Sequence, residues 1–494
     1  MKEKLFLMTE DSFNSTVAFY SNKEQIDSTS KEKLFYYFNK VFNPLFPYKF
    51  DFILENRCEL SILLKRIDYK SPKKSIFKNL EIKAMKKGNY KYSYMISQFR
   101  KLLSTVRSTQ YSTKIFSKKI DNIIIYESFN GKSFSDSPRM LYFYLSKALP
   151  EYKHVVVSDN DTLDEQLAHL NIETVKKNTK KYFELYNNAK VWIVNTRLSP
   201  QIKKKSNQLY IQTWHGTPLK KLANDQTVIS IPDVTLEEYL YGFNKETSRW
   251  DSLLSPSEVA TERFQSAFNL ENDQILTLGY PRNDDLINLN NADYAYQLKQ
   301  KYNIPTNKKV VLYAPTWRDN DRVDIGQYNL KLQIDLEDFN KQLGNEYVLA
   351  IRAHYLVSEH LNLDRYDNIY DLSKANDVNE LFLMSDTLIT DYSSVYFDYA
   401  NLHRPILFFA YDKDAYANDI RGFYLPYEEE LPGPIFKTSE DLIAHIKSGE
   451  YEKIPHSEEY KAFTHKYNYL DDGEATKRVG EYIMSTLIKE KEFQ

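Results

Sequence analysis

Apolar positions along this chain change their pattern at Asp121. From there on, short unbroken apolar runs alternate with stretches of helical period. An unbroken run of four or five apolar residues must be covered on both faces, which is the signature of a strand inside a parallel sheet. Strands are predicted at 122–126, 154–157, 191–194, 209–211 and 275–278, with a turn-rich loop from Glu127 to Pro138 and a helix over 139–149. The rhythm restarts after Asn307, with strands at 310–313, 347–351, 387–390 and 406–409, and a closing helix over 475–489 expected to cross back to the first domain. The predicted fold is α/β: two Rossmann-like domains, 121–305 and 306–494, facing each other across a cleft, after a separate N-terminal region, 1–120.

That N-terminal region has a different texture. Residues 1–60 carry short apolar stretches between polar breaks and read as a small β-containing module. Residues 75–119 read as basic helices, because Met95, Ile96, Phe99, Leu103 and Val106 recur at helical spacing with Arg100, Lys101 and Arg107 elsewhere on the wheel. Charge sharpens the contrast. The whole chain is only −2, yet residues 61–120 hold sixteen Lys and Arg against Asp68 and Glu81, so this segment is +14 and the remainder −16. Such asymmetry suits an anionic partner surface: membrane, nucleic acid or a polyanionic polymer. The alternative is a solvated helix packed on the next domain. The single cysteine, Cys58, excludes an internal disulfide framework and a Cys-based metal site, and points to a reducing compartment. The first ten residues hold too short an apolar run for a signal peptide, and no stretch approaches the ~18 apolar residues of a membrane span. The expected location is cytoplasmic, peripheral on the inner face of the membrane.

The candidate chemistry clusters at predicted strand ends. Trp214-His215-Gly216-Thr217-Pro218 follows the 209–211 strand. Gly216 permits a positive φ or a close ligand approach, and Pro218 suits the first position of a helix, so His215 is expected just before a helix N-terminus. A histidine there can take a proton from a hydroxyl near neutral pH; taken alone it would more often be a turn residue bonded to backbone. Arg282 follows the 275–278 strand, Pro315-Thr316 follows 310–313, and Arg352-Ala353-His354 ends 347–351. Asp391-Tyr392-Ser393-Ser394 follows 387–390 and should open a helix. Its hydroxyls and free N–H groups suit a diphosphate, with a plain N-cap as the alternative. Asp398 lies one turn beyond Ser394 and is placed to accept from a ribose hydroxyl. Arg282 and Arg352 are candidate phosphate clamps, or else ion-paired residues. Asp471-Asp472-Gly473 reads as a turn, with cation binding as the alternative. No histidine or carboxylate cluster has zinc spacing, and no G-x-G-x-x-G is present, so neither a metal nor a dinucleotide cofactor is indicated.

Taken in order, these motifs resemble the CDP-glycerol glycerophosphotransferase family, the teichoic acid primases and polymerases. Glu127 to Asp136, Gln212 to Lys220, Gly279 to Asp284, Tyr313 to Arg318, Arg352 to His354 and Thr390 to Asp398 carry the resemblance, joined by Arg421 to Tyr424 and Pro432 to Pro434. It spans roughly residues 121–488. The resemblance implies a GT-B fold and transfer of a polyol phosphate from CDP-glycerol or CDP-ribitol to a hydroxyl of a lipid-linked polymer, releasing CMP. It implies His215 as the base and His354 at the donor diphosphate. It further implies donor contacts among Trp214, Gly216, Thr217, Pro218, Arg282, Pro315, Thr316, Arg352, Ala353, Ser393, Ser394 and Asp398, with Asp377 and Val378 at the nucleotide. The acceptor would be a teichoic-acid-like or capsular polymer, with no nucleic acid partner. Two other readings stay open at this point: a GT-B glycosyltransferase using a nucleotide sugar, and a non-catalytic polymer-binding protein using the basic segment.

Overall fold

The computed structural model describes residues 120–227, 235–316, 332–353, 365–412 and 422–492, the isolated positions Leu80, Lys83, Ala84, Tyr92, Met95, Ile96 and Leu363, and a short antiparallel pair, Arg322–Asp324 with Gln327–Tyr328. The expected β module at 1–60, most of the basic helices, His354, Trp317, Arg318 and Arg421 lie outside the described residues. The described positions between 80 and 96 are helical, with Met95 exposed and Ile96 buried.

The long stretches form one compact unit built on two parallel sheets. The first has seven strands: β1 (Asp121–Glu127), β2 (Lys153–Ser158), β3 (Thr174–Lys176), β4 (Ala189–Val194), β5 (Leu209–Gln212), β6 (Ser252–Ser255) and β7 (Ile275–Thr277), in the order β3-β2-β1-β4-β5-β6-β7. The second has six: β8 (Lys309–Ala314), β9 (Tyr347–Ile351), β10 (Ile369–Asp371), β11 (Thr387–Thr390), β12 (Ile406–Phe409) and β13 (Ile435–Phe436), in the order β10-β9-β8-β11-β12-β13. Every strand predicted from Asp121 onward is present. The four absent from the prediction, β3, β6, β10 and β13, have two to four residues each; polar residues break the apolar run in the first three, and β13 is only two residues long.

Each sheet buries both faces, as the unbroken runs required. Ile123 and Ile125 enter one apolar cluster while Ile124 and Tyr126 enter another. Val310 and Leu312 are likewise separated from Val311 and Tyr313. Helix α1 (Asp136–Ala148) covers one face of the first sheet through Leu141 and Leu145. Helix α2 (Val378–Met384) and the short α3 (Val395–Tyr399) cover the second. The closing helix α4 (Ala475–Glu492) lays Val479, Ile483 and Leu487 into the first sheet's cluster, so the chain does cross back. In exchange, the helix Ala292–Lys301 packs Leu298 into the second sheet's core.

In both sheets the strand order reverses once, between β1 and β4 and between β8 and β11. Crossover loops leave in opposite directions there and open a crevice at the carboxyl ends of the strands. Across from each other, the loop after β5 reaches the loop after β11, with Gly216 beside Ser394.

Candidate active site

His215 lies at the end of β5, but no helix follows it. Residues 216–222 run without regular structure into a single turn at Ala223–Asp225, and among the described residues the next helix begins at Leu236. Pro218 does not start a helix; its carbonyl accepts from Arg263 Nη1 at 2.7 Å. Segment 219–221 pairs instead with 422–424, through Lys221 N–H to the Gly422 carbonyl at 2.7 Å and Tyr424 N–H to the Leu219 carbonyl at 2.9 Å. The expected helix N-terminus is thus replaced by strand-like pairing with the 422–424 segment.

The turn itself is made by Trp214, whose φ is 53°, rather than by Gly216. Gln212 Oε1 holds the Trp214 N–H at 3.0 Å, and the indole stacks on the imidazole with ring centroids 4.5 Å apart. The Phe129 ring meets His215 edge-on at 6.2 Å. Gly216 permits a close approach: a Cβ built there would sit 3.0 Å from Ser394 Oγ. This contact brings the loop after β5 against the loop after β11.

The histidine's tautomer follows from one bond. Nδ1 lies 2.7 Å from the Asn195 carbonyl oxygen. A carbonyl only accepts, so Nδ1 carries the proton and Nε2 keeps its lone pair. The ring has an accessible edge. Its flanks are crowded, and this burial lowers its pKa, against the opposing influence of the Asn195 bond and the Asp136 carboxylate; Arg282 adds to the lowering. His215 is therefore a neutral imidazole at neutral pH with Nε2 ready to accept.

Arg282 and Asp398 come together. Arg282 Nη2 donates to Asp398 Oδ1 at 2.7 Å and Nη1 to Asp136 Oδ2 at 3.3 Å, and its guanidinium covers the Tyr280 ring at 4.6 Å. Burial opposes the charge of Arg282, but the carboxylates of Asp398 and Asp136 outweigh it and raise its pKa. This pair is buried, not a surface ion pair. Asp398 Oδ1 also accepts from Asn283 Nδ2 at 3.2 Å, so the expected hydroxyl acceptor is already held by two donors.

Ser393 and Ser394 are half-buried at the start of α3. Ser394 occupies the N-cap position without a side-chain cap bond, and Asp391 Oδ1 accepts the Thr316 N–H at 2.8 Å, tying Pro315-Thr316 to the serine loop. Arg352, Asp377 and Val378 gather separately. Arg352 Nη1 donates to the Ala375 carbonyl at 3.0 Å, the Ala353 N–H goes to Ser373 Oγ at 3.0 Å, and Asp377 caps α2 through the Asn379 N–H at 3.0 Å. Asp377 also lies 3.9 Å from Arg139 of α1, and burial raises its pKa. Thr217 is buried beside the histidine turn.

Two residues without an assigned role in the sequence reading enter the site. Asn195 exits β4 and positions His215 through its carbonyl, while its side-chain Oδ1 holds the Phe129 N–H at 2.7 Å. It is the polar residue directly after a predicted strand, the same signal that marks the other clusters. Asp136 ends the Glu127 to Asp136 motif, and only the fold shows its partner, Arg282.

A family model for CDP-glycerol:poly(glycerophosphate) glycerophosphotransferase matches residues 109–485. The chain belongs to this family. Among curated members of the glycerophosphotransferase family, it is 43% identical over 404 residues to a teichoic acid poly(glycerol phosphate) polymerase of Staphylococcus epidermidis, covering 79% of this chain and 56% of the relative. It is 40% identical to the enzyme of the same description from Bacillus spizizenii, covering 79% of this chain and 99% of that one. The chain therefore spans little more than half of the first relative and nearly all of the second. A teichoic acid poly(ribitol-phosphate) polymerase of Bacillus spizizenii is more distant, 31% identical over 57% of this chain and 44% of its own length. The solved structure of the wall teichoic acid polymerase TagF superposes with a TM-score of 0.72 at 41% identity, over 80% of this chain and 99% of that one. The same polymerase has also been solved as a histidine-to-asparagine variant soaked with CDPG. The fold of this family member is accordingly GT-B-like.

Proposed function

We propose that this chain transfers glycerol phosphate from CDP-glycerol to the terminal hydroxyl of a teichoic-acid-like polymer, releasing CMP. The observation that carries this reading is His215: its Nδ1–H is committed to the Asn195 carbonyl and its Nε2 is free to act, within a loop that touches Ser394. In the proposed reaction the acceptor oxygen attacks the β-phosphorus, and its proton passes to Nε2. The bond from that phosphorus to the CMP oxygen breaks, and CMP leaves with the electron pair. Ser393, Ser394, Thr316 and Arg352 are the proposed donor contacts, with His354 beside the diphosphate. Asp377 and Val378 are assigned to the nucleotide. Preorganised donors aimed at the diphosphate would stabilise the charge that develops there. Arg282 and Asp398, already joined to each other, are assigned to the donor as a pair.

Glycerol is preferred over ribitol because the relatives described as glycerol phosphate polymerases are about 40% identical and the ribitol ones 31%. A capsular polymer as acceptor and peripheral attachment to an anionic membrane belong to the same proposal. No helix among the described residues is long and apolar enough to cross a membrane, and the +14 segment supplies the charge for surface binding.

The test is to incubate the protein with CDP-glycerol, CDP-ribitol or UDP-sugars and a short glycerol phosphate acceptor, and identify the released nucleotide. CMP with a lengthened phosphodiester product from CDP-glycerol is expected. A nucleoside diphosphate with a glycoside product would replace this reading by sugar transfer.

A further inference from the structure

The loop between β1 and α1 folds back on itself. Ser128 bridges to Ser133, Ser128 Oγ donates to the Ser135 carbonyl at 2.7 Å, and Ser133 and Ser135 hydroxyls bond at 2.9 Å. This closure delivers Phe129 and Asp136, seven residues apart, to the same strand-end edge as His215. Phe129 touches the imidazole directly. Asp136 is held there at a φ of 63°, a conformation that costs a non-glycine residue energy and persists only where its surroundings dictate it. Its Oδ1 takes the Ser137 N–H at 2.6 Å, its Oδ2 takes Arg282 Nη1 at 3.3 Å, and its side chain is only 6% exposed. Arg282 is shared between Asp136 and Asp398, and the Tyr280 ring it covers donates its hydroxyl to the Gly216 carbonyl at 3.2 Å, which sets this cluster next to the histidine turn.

We propose that Asp136 is the counter-charge of His215, a positioning residue fixed by Arg282 that stabilises the imidazolium formed when the acceptor hydroxyl gives up its proton. This rests on His215 being the base in the proposed transfer. Among the described residues, the imidazole meets the neutral rings of Phe129 and Trp214 and the Asn195 carbonyl, and the charges that act on it are the Asp136 carboxylate and Arg282. Among these, Asp136 is the charge that favours a protonated ring, and Arg282 is the one that opposes it. The carbonyl holds the tautomer. Asp136 supplies the charge without touching the ring, and Arg282 holds that carboxylate in place.

The test compares Asp136→Asn with wild type in two ways. The first is the pH dependence of kcat. A base must be neutral, so turnover falls as pH drops through its pKa; removing Asp136 should move that acidic limb to lower pH, by up to about one unit, while the plateau falls roughly tenfold or more. The second is the titration of His215 by side-chain NMR, assigned with His215→Ala, whose midpoint should fall in Asp136→Asn. A lower plateau with both the limb and the midpoint unmoved would overturn the proposal, because a loop that merely misfolds has no reason to shift one titration. Asp136→Glu should keep the limb near the wild-type position. Should Asp136→Asn fold poorly, Asp136→Gly removes the carboxylate and suits the positive φ. The NMR midpoint needs no turnover, so a wild-type protein inactive on CDP-glycerol would sink the proposed function without deciding this one.

Discussion

At the scale of single residues, the site depends on what the backbone does to one imidazole. The Asn195 carbonyl fixes the proton on Nδ1, and crowding by neighbouring groups lowers the pKa, so Nε2 is a free acceptor at neutral pH. His215→Ala should therefore leave donor affinity within a few-fold and reduce turnover by roughly 10²–10⁴, the usual loss for a general base. Calorimetry with CDP-glycerol and a CMP-release assay separate the two effects. The depressed pKa also has a sign: wild-type turnover should stay level down through about pH 6.5, the ordinary histidine value, and fall only below it. The same protonation favours the unfolded chain, so His215 contributes stability that is lost as pH falls through that range. Gly216 is the other decisive position. A methyl group there meets Ser394 Oγ at 3.0 Å. Gly216→Ala should weaken CDP-glycerol binding by displacing the serine loop while far-UV circular dichroism stays unchanged.

At the scale of elements, the site is assembled by loops whose geometry is pinned from outside the site. The β1–α1 loop is anchored by Glu127, buried at the end of β1, which accepts from Tyr186 Oη at 2.6 Å and Lys177 Nζ at 2.9 Å. Lys177 reaches on to the Asn130 carbonyl and side chain, and Asn130 adjoins the phenylalanine that meets His215. Gly131 allows this path, with a φ of +79° and a would-be Cβ 3.1 Å from the Asp159 nitrogen. Gly131→Ala should cost about 2 kcal/mol in urea denaturation, from backbone strain and crowding together, and should lower turnover through the displaced Phe129. Wild-type stability in that variant would mean the loop is not pinned there.

At the scale of the whole molecule, the described unit is held together where the last two helices join. Asp471 Oδ2 accepts from Asn283 Nδ2, after the first sheet, and from Asn401 Nδ2, in the second lobe, each at 2.8 Å. Asp471 is thus a structural tie where the chain crosses back, and Gly473, at a φ of 86°, makes the turn expected from Asp471-Asp472-Gly473. Burial pushes the Asp471 carboxyl up to about 6, against the asparagine bonds. Asp471→Ala strands two buried amide donors and should cost about 3 kcal/mol, read from the urea midpoint. The +14 segment acts at this scale too. Each Lys or Arg near an anionic bilayer is worth about 1 kcal/mol, so replacing Lys83, Lys86, Lys87, Arg100 and Lys101 with Gln should release the protein from anionic vesicles at lower salt. Unchanged co-sedimentation, with loss of activity on a soluble polymeric acceptor, would assign these charges to polymer binding instead.

Much of this molecule was legible in its sequence. Unbroken apolar runs such as 122–126 and 347–351 are dictated by burial on both faces, a local constraint that needs no partner to be read. The polar clusters after those runs mark the carboxyl ends of strands, which is why His215, Ser393-Ser394 and Arg352 could be singled out in advance. Tertiary structure decided what each cluster touches. Pro218 carries a helix-start signal, yet segment 219–221 pairs with residues two hundred positions later, and a local propensity of that size yields to such pairing. Arg282 and Asp398 read as separate contacts, but they are each other's partners, because long-range packing brings positions 282 and 398 to one point. Asn195 and Asp136 acquire meaning only from the strand order, which sets β4 beside β5 and folds the β1–α1 loop onto the same edge. A one-dimensional pattern records which positions are buried and where strands end; the order in which strands lie side by side is set by packing over the whole chain.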